Sequence, residues 1–105
     1  MIYCVEDDDN IRELVIYTLE TTGLKARGFA DGSAFTEALA FETPELILLD
    51  IMLPGIDGYE VCREVRKTLN TPIIMLSAKG ETFDKVLALE FGADDYMVKP
   101  LETKE

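Results

Sequence analysis

Short apolar runs alternate with segments of helical periodicity along the whole chain, and this alternation limits the possible folds more than any other feature. The clearest runs are residues 2–5 (IYCV), 46–49 (LILL), 73–76 (IIML) and 96–98 (YMV), and a weaker strand is predicted over 25–30. Continuous apolar runs of this length are typical of strands that are buried on both faces of a sheet. The pattern therefore predicts five strands.

The segments between the strands have the spacing of one-sided helices. The first helix shows the i, i+3, i+4, i+7, i+8 repeat in Ile11, Leu14, Val15, Thr18 and Leu19. Asp8 or Asp9 is its expected N-cap, and Gly23 is placed to end it.

Three further helices follow the same logic. An Asp31-Gly32 turn with Ser33 as the N-cap introduces the second, and Asp57 with Glu60 forms a capping box before the third. The fourth is predicted over residues 82–91. The order βαβαβαβαβ with short connections predicts a single α/β domain over residues 1–105, a parallel sheet with helices on both faces.

The charge balance limits the partners that this domain can bind. The 105 residues include 21 acidic and 10 basic side chains and no histidine, which gives a net charge of −11. Such a surface repels phosphate backbones, so we expect no binding to nucleic acid by this chain itself. There is also no apolar run near the ~20 residues of a membrane span and no basic leader, so we expect a cytoplasmic protein with no membrane partner.

The two cysteines lie within apolar stretches. In a reducing compartment we expect Cys4 and Cys62 to be small buried hydrophobic residues rather than a disulfide. With two cysteines and no histidine, a structural zinc site is excluded.

Polar residues directly follow four of the predicted strands. Glu6 and Asp7 follow the first strand, Asp50 the third, Ser77 the fourth and Lys99 the fifth. One such residue alone is more often a solvated strand end. Because the carboxyl ends of parallel strands meet at one edge where ligands bind, the whole set predicts a functional site.

The chemistry of that set favours a divalent cation and an anion. Three carboxylates placed together repel one another, and all-oxygen ligation suits Mg²⁺, with Mn²⁺ as a substitute. Lys99 would orient an incoming anion, and a phosphoryl group suits this arrangement. Asp50 would be the nucleophile because an ionised carboxylate needs no general base, and Ser77 would donate a hydrogen bond to a transferring oxygen.

The segments VEDDDNIREL, LILLDIMLPGIDGYEVCREVR, PIIMLSAKGE and GADDYMVKP resemble the receiver domains of bacterial two-component response regulators. The similarity covers essentially the whole chain and is greatest to regulators whose receiver precedes a winged-helix DNA-binding domain. The resemblance implies a flavodoxin-like strand order 2-1-3-4-5 and a switch that is phosphorylated by a sensor histidine kinase. It also implies a role in transcription regulation, and a domain that promotes only its own phosphorylation and dephosphorylation and is not an enzyme.

The resemblance also implies roles for individual residues. Glu6 and Asp7 correspond to the acidic pair, Asp50 to the phosphoacceptor, and Met52 to the residue whose backbone carbonyl binds the metal. Lys99 corresponds to the family's lysine, and its bond to the following proline is expected to be cis.

Three residues correspond to positions that sense the phosphoryl group. Ser77 matches the switch hydroxyl, where threonine is commoner, and the backbone N–H of Ala78 would contact the phosphoryl group. Tyr96 matches the aromatic switch position, although simple core packing is an equally good explanation for it.

The family's dimer face is only partly represented. The positions that match its charged residues are Lys85, Glu90, Asp94, Asp95 and Glu105. The fifth helix would only begin before Glu105, so we interpret the chain as a C-terminally truncated receiver without an effector domain. We expect an apolar strip over the fourth and fifth strands to lie open, and a fragment that is marginally stable or self-associates.

Three other functions fit the sequence less well. A haloacid-dehalogenase-type phosphatase usually has a second acid two residues after the nucleophile, where this chain has Met52. A flavodoxin-like nucleotide binder would have a glycine-rich loop after the first strand, where this chain has acids. A pseudo-receiver used only for protein contacts would normally lack part of the acid, lysine and acceptor set.

Overall fold

In a computed structural model, the protein is described over residues 1–55, 57–77 and 82–99. Within these ranges five strands alternate with four helices. The strands are β1 (Ile2–Val5), β2 (Ala26–Phe29), β3 (Leu46–Asp50), β4 (Ile73–Ser77) and β5 (Asp95–Val98). The helices are α1 (Asp9–Thr21), α2 (Gly32–Leu39), α3 (Gly58–Arg66) and α4 (Thr82–Glu90).

The strands form one parallel sheet in the order β2-β1-β3-β4-β5. This confirms the predicted doubly wound α/β fold. The register places Val5 opposite both Phe29 and Leu49, and Asp50 opposite Leu76. The carboxyl ends of the inner strands therefore reach one edge together.

Alternate side chains of the strands enter two apolar clusters, because successive residues of a strand point to opposite faces. The larger cluster contains Tyr3, Ile47 and Met75 with residues of α2 and α3. The ring of Tyr3 packs edge to face against Phe29, with 4.8 Å between the ring centroids. The smaller cluster contains the buried residues Ile2, Leu48 and Leu76, against which Val15 and Leu19 of α1 pack. The face that carries the smaller cluster is covered more thinly, since no residue of α1 is fully buried.

Aspartate side chains begin three of the helices. Asp8, Asp31 and Asp57 each accept a hydrogen bond from the backbone N–H three residues later, at 2.8–3.0 Å. The prediction of Ser33 as the N-cap of the second helix was wrong. Asp31 takes that place because its carboxylate accepts from the N–H of Ala34, and the helix begins at Gly32.

The fifth strand lies at an edge of the sheet and is less buried than the inner strands. It begins one residue earlier than predicted, at Asp95, and α4 ends at Glu90 rather than at residue 91. Met97 and Val98 are 49% and 42% exposed. Met97 pairs with Leu76 of the smaller cluster, so none of the described helices covers this face of the sheet fully at β5.

Arg66 at the end of α3 joins three segments of the chain. Its guanidinium donates to the backbone carbonyls of Gly92 (2.7 Å) and Thr71 (2.6 Å) and to Asp94 Oδ2 (2.6 Å). Asp94 Oδ2 also accepts from the N–H of Ile73, at 2.9 Å. The carboxyl end of α3, the start of β4 and the α4–β5 turn are therefore held together by one side chain.

Both cysteines are free and buried, as predicted. Among the described residues, no helix combines the length and the apolar character needed to cross a membrane.

Candidate functional site

The ends of β1 and β3 bring three carboxylates together. One oxygen each of Glu6, Asp7 and Asp50 lies within 4.8 Å of the others. Glu6 and Asp50 are fully buried, whereas Asp7 is exposed. The predicted convergence of these acids is thus found in the structure, and its open side faces solvent at Asp7.

Backbone hydrogen bonds extend the sheet by one residue at this edge and position the side chains. The N–H of Glu6 donates to Phe29 (3.0 Å), and the N–H of Lys99 donates to the carbonyl of Ser77 (2.7 Å). Glu6 and Lys99 are therefore held next to the strand ends by backbone hydrogen bonds, and Asp7 follows in the β1–α1 connection.

Lys99 connects two of the acids. Its Nζ lies 3.1 Å from Asp50 Oδ1 and 3.1 Å from Glu6 Oε1, and its side chain is only 11% exposed. The better-directed hydrogen bond to Glu6 runs to Oε2, at 3.4 Å. One ammonium thus serves two buried carboxylates, and the negative charge of the cluster is only partly balanced.

Backbone N–H groups satisfy further carboxylate oxygens. The N–H of Met52 donates to Asp50 Oδ1 at 3.1 Å, and the N–H of Asp8 donates to Glu6 Oε2 at 3.0 Å. Within the described ranges, two buried oxygens, Asp50 Oδ2 and Glu6 Oε1, accept no hydrogen bond. Buried acceptors of this kind are uncommon, and an all-oxygen donor set next to them has the chemistry that fits Mg²⁺.

The electrostatics of the site raise two pKa values. Burial, and then the charge of Glu6, raise the pKa of Asp50 from 3.8 to about 7, against the opposing effects of Lys99 and the N–H of Met52. For Lys99, burial acts to lower the pKa, but hydrogen bonds and charge from Asp50 and Glu6 outweigh it, and the net pKa is raised. Lys99 therefore stays protonated.

The other predicted site residues have different surroundings. Ser77 is buried at the end of β4, and Tyr96 is half-buried and packs against the larger apolar cluster. Met52 is 72% exposed. Ala78 and the Lys99–Pro100 bond lie outside the described residues.

The residues of the predicted dimer face do not share one environment. Lys85, Glu90 and Asp95 are exposed. Asp94 is bound by Arg66 and by the N–H of Ile73, so it has a structural role within the chain. Glu105 lies outside the described residues.

Two residues that contribute to the site were not predicted from the sequence. The guanidinium of Arg12 donates to the backbone carbonyl of Glu6 at 2.7 Å, and the N–H of Asp8 binds the Glu6 carboxylate. The sequence around Arg12 does not reveal this contact, because the contact depends on how α1 crosses β2.

Comparisons with known proteins agree with this geometry. A family model described as the response regulator receiver domain matches residues 2–105. The BeF₃-activated N-terminal receiver domain of RstA from Klebsiella pneumoniae is 37% identical, with a TM-score of 0.89 over 94% of this chain and 85% of that chain. The receiver domain of NtrX from Brucella abortus is 33% identical, with a TM-score of 0.89 over 96% of this chain and 87% of that chain.

A longer protein shares the same domain. DrrB from Thermotoga maritima, described as an OmpR/PhoB homolog, is 33% identical, with a TM-score of 0.86 over 96% of this chain and 46% of that chain. With the order of the strands, the acid cluster at their ends and the match over almost the whole length, the chain belongs to the response regulator receiver domain family.

Proposed function

We propose that this receiver domain accepts a phosphoryl group on Asp50 in a Mg²⁺-dependent reaction, with a sensor histidine kinase as the donor. The observation that carries the proposal is Asp50 Oδ2, a buried oxygen with no hydrogen-bond donor in the described chain. Lys99 holds the other oxygen of the same carboxylate. This arrangement leaves one oxygen of Asp50 with lone pairs available for reaction.

The acids at the strand ends would hold the metal. Asp7 and Asp50 would bind Mg²⁺ directly, with the backbone carbonyl of Met52, and Glu6 would act partly through water; Mn²⁺ would substitute. When bound, the cation supplies positive charge that stabilises the oxygens of the transferring phosphoryl group. Asp7 is the exposed member of the cluster, which gives a cation a route from solvent.

The transfer itself requires little of the protein beyond positioning. A carboxylate oxygen of Asp50 attacks the phosphorus of a phosphohistidine, a P–O bond forms and the P–N bond breaks. The electron pair of that bond stays on the imidazole nitrogen of the kinase. Lys99 balances charge on the phosphoryl oxygens, and the Ser77 hydroxyl and the N–H of Ala78 orient them.

The switch would lie on the strands next to the acceptor. Ser77 and Asp50 end neighbouring strands, and Tyr96 pairs with Met75 across β4 and β5. A movement of the Ser77 hydroxyl towards the phosphoryl group would change the packing at Tyr96. The exposed charges of Lys85, Glu90 and Asp95 would belong to a dimer face.

A role in transcription regulation is proposed from the resemblance to regulators of the OmpR/PhoB type, of which DrrB is one. The histidine kinase partner implies a cytoplasmic site of action. The receiver itself would bind no DNA, because of its net charge of −11.

Phosphorylation by a small acyl phosphate with Mg²⁺ tests the proposal. Mass spectrometry of the intact chain is expected to show one added phosphoryl group, which is absent in Asp50→Asn and after chelation of the metal. Asp95→Asn, an exposed carboxylate on β5, is the matched control and keeps the modification. Modification that persists in Asp50→Asn would contradict the assignment of the acceptor, and no modification of the wild-type chain would favour a pseudo-receiver.

A further inference from the structure

We propose that Arg12 is a positioning residue for the metal site, and that it fixes the β1–α1 connection on which Glu6 and Asp7 stand. This inference rests on the proposed function. Among the hydrogen bonds of the described residues, those of the Arg12 guanidinium go to the backbone carbonyl of Glu6 and to Asp9, so Arg12 acts on the cluster through the backbone. Its Nη1 donates to the carbonyl oxygen of Glu6 at 2.7 Å, and its Nη2 donates to Asp9 Oδ1 at 2.5 Å.

Arg12 contacts the backbone of Glu6, which lies between the end of β1 and Asp7. Glu6 follows the last residue of β1, its N–H donates to Phe29, and its carboxylate accepts from the N–H of Asp8. The Arg12 guanidinium completes these constraints by taking the Glu6 carbonyl. The backbone of Glu6 is therefore held on both sides, immediately before Asp7 reaches solvent.

The side chain of Arg12 reaches Glu6 by crossing β2 at a glycine. The side chain is 18% exposed and runs over Gly28 of β2. A Cβ at Gly28 would lie 2.9 Å from Arg12 Cδ, 3.0 Å from Arg12 Cγ and 2.6 Å from Ile16 Cδ1. The absence of a side chain at Gly28 thus provides the space through which Arg12 reaches the end of β1.

Arg12 could affect Mg²⁺ binding through its charge or by holding the backbone, and its ion pair with Asp9 favours the second role. A lone guanidinium behind Glu6 would weaken the binding of a cation by repulsion, so its removal would tighten Mg²⁺ binding. Because Asp9 balances its charge, the main contribution of Arg12 is to hold the backbone, and its removal is expected to weaken Mg²⁺ binding. The two roles therefore predict changes of opposite sign.

Residues outside the immediate ligand set that orient metal ligands typically alter metal affinity by about 10–100-fold when replaced. We expect Arg12→Gln to raise the dissociation constant for Mg²⁺ by about tenfold, at the lower end of that range because the contact is to backbone. The rate of phosphorylation at saturating Mg²⁺ should be largely retained, while the Mg²⁺ concentration for half the maximal rate rises. A residue with only a general structural role would not produce this separation.

The experiment measures Mg²⁺ binding by calorimetry and phosphorylation by acyl phosphate against Mg²⁺ concentration, for the wild-type chain, Arg12→Gln and Gly28→Ala. Gly28→Ala keeps every charge and places a methyl group against the side chains of Arg12 and Ile16, which we expect to shift Arg12. This variant provides the test if Arg12→Gln does not fold. Lys67→Gln is the control, because it removes one positive charge from an exposed i, i+3 ion pair with Glu64. It is expected to bind Mg²⁺ like the wild type.

The outcomes separate this inference from the proposed function. Weakened Mg²⁺ binding in the folded variants supports the role of Arg12. Unchanged or tighter binding in either folded variant overturns it, while the wild-type chain continues to bind Mg²⁺ and to be phosphorylated. If the wild-type chain binds no Mg²⁺ at millimolar concentrations, the proposed metal site is wrong, and the role of Arg12 at that site is overturned with it.

Discussion

Lys99 and Asp50 form a buried ion pair at the edge of the sheet, with 3.1 Å between Nζ and Oδ1 and side chains that are 11% and 1% exposed. The same ammonium also lies 3.1 Å from Glu6. One positive charge opposite two buried negative charges leaves an excess of negative charge at the carboxylate that we propose as the phosphoacceptor. We expect this excess to make the stability of the metal-free domain depend on pH.

The first prediction concerns the stability of the metal-free domain as a function of pH. The pKa of Asp50 is about 7 in the folded chain, above its ordinary value of 3.8, so the folded state binds the proton more tightly than the unfolded state. The resulting stabilisation is fully present below the unfolded pKa and is lost as the pH rises through about 7. Thermal unfolding in the presence of a chelator is expected to show a melting temperature that falls from about pH 4 to about pH 8 and then levels off.

Substitution of Asp50 identifies the group responsible. Asp50→Asn removes the titration and is expected to flatten that pH dependence and to raise the melting temperature of the metal-free chain at about pH 8. Glu13→Gln, an exposed position on α1, is the control and should leave the slope unchanged. A wild-type slope that persists in Asp50→Asn would assign the effect to another group.

The second prediction concerns Gly58, the first residue of α3. A Cβ at Gly58 would lie 2.2 Å from the carbonyl oxygen of Asp50 and 2.8 Å from Ile51 Cα, and both neighbours are backbone atoms that cannot rotate away. We expect Gly58→Ala to destabilise the domain by about 1–3 kcal/mol, which is typical of overpacking. Chemical denaturation measures this, with Ser33→Ala in the exposed first turn of α2 as the control. A loss of less than about 0.5 kcal/mol would show that the start of α3 can move away from Asp50.

The third prediction concerns Arg66, whose guanidinium binds backbone carbonyls just before β4 and in the α4–β5 turn. Arg66→Ala removes charge-assisted hydrogen bonds and leaves acceptors without their donor, and we expect a loss of about 2–3 kcal/mol of unfolding free energy. Arg66→Lys should recover only part of this, because a single ammonium cannot replace the planar fork.

Lys67 provides the comparison for Arg66, one residue further along the chain. Its ion pair with Glu64 is exposed on both sides, so Lys67→Ala is expected to cost less than about 0.5 kcal/mol. Equal losses for the two variants would mean that Arg66 contributes no more than a surface charge.

The convergence of the acids and Lys99 was predictable because the fold is regular at the strand ends. Asp50 ends β3 and Lys99 follows β5, and a parallel sheet brings the carboxyl ends of its strands to one edge whatever the details of packing. Arg12 and Gly58 were not predictable in the same way. Their roles depend on the angle at which a helix packs against the sheet. An amphipathic pattern shows which face of a helix is buried, but it does not specify that angle.

The N-cap of α2 was also not predictable from the sequence. Asp31 and Ser33 both have side chains that cap helices, and local sequence alone does not decide between them. In the structure Asp31 is the N-cap, since its carboxylate accepts a hydrogen bond from the N–H of Ala34.

The last prediction concerns the open face of the sheet at β5. Met97 is 49% exposed and pairs with Leu76 of the smaller apolar cluster, and α1 covers that face without a fully buried residue of its own. Covering a strip of a few hundred Å² would add several kcal/mol at roughly 25 cal/mol per Å². We therefore expect a chain extended after Glu105 by an amphipathic helix to melt at a higher temperature and to associate less, as measured by calorimetry and by sedimentation. An extension of equal length with polar residues at the apolar positions is the control and should change neither property. The prediction fails if the chain without the extension is monomeric, unfolds cooperatively and gains no stability from the added helix.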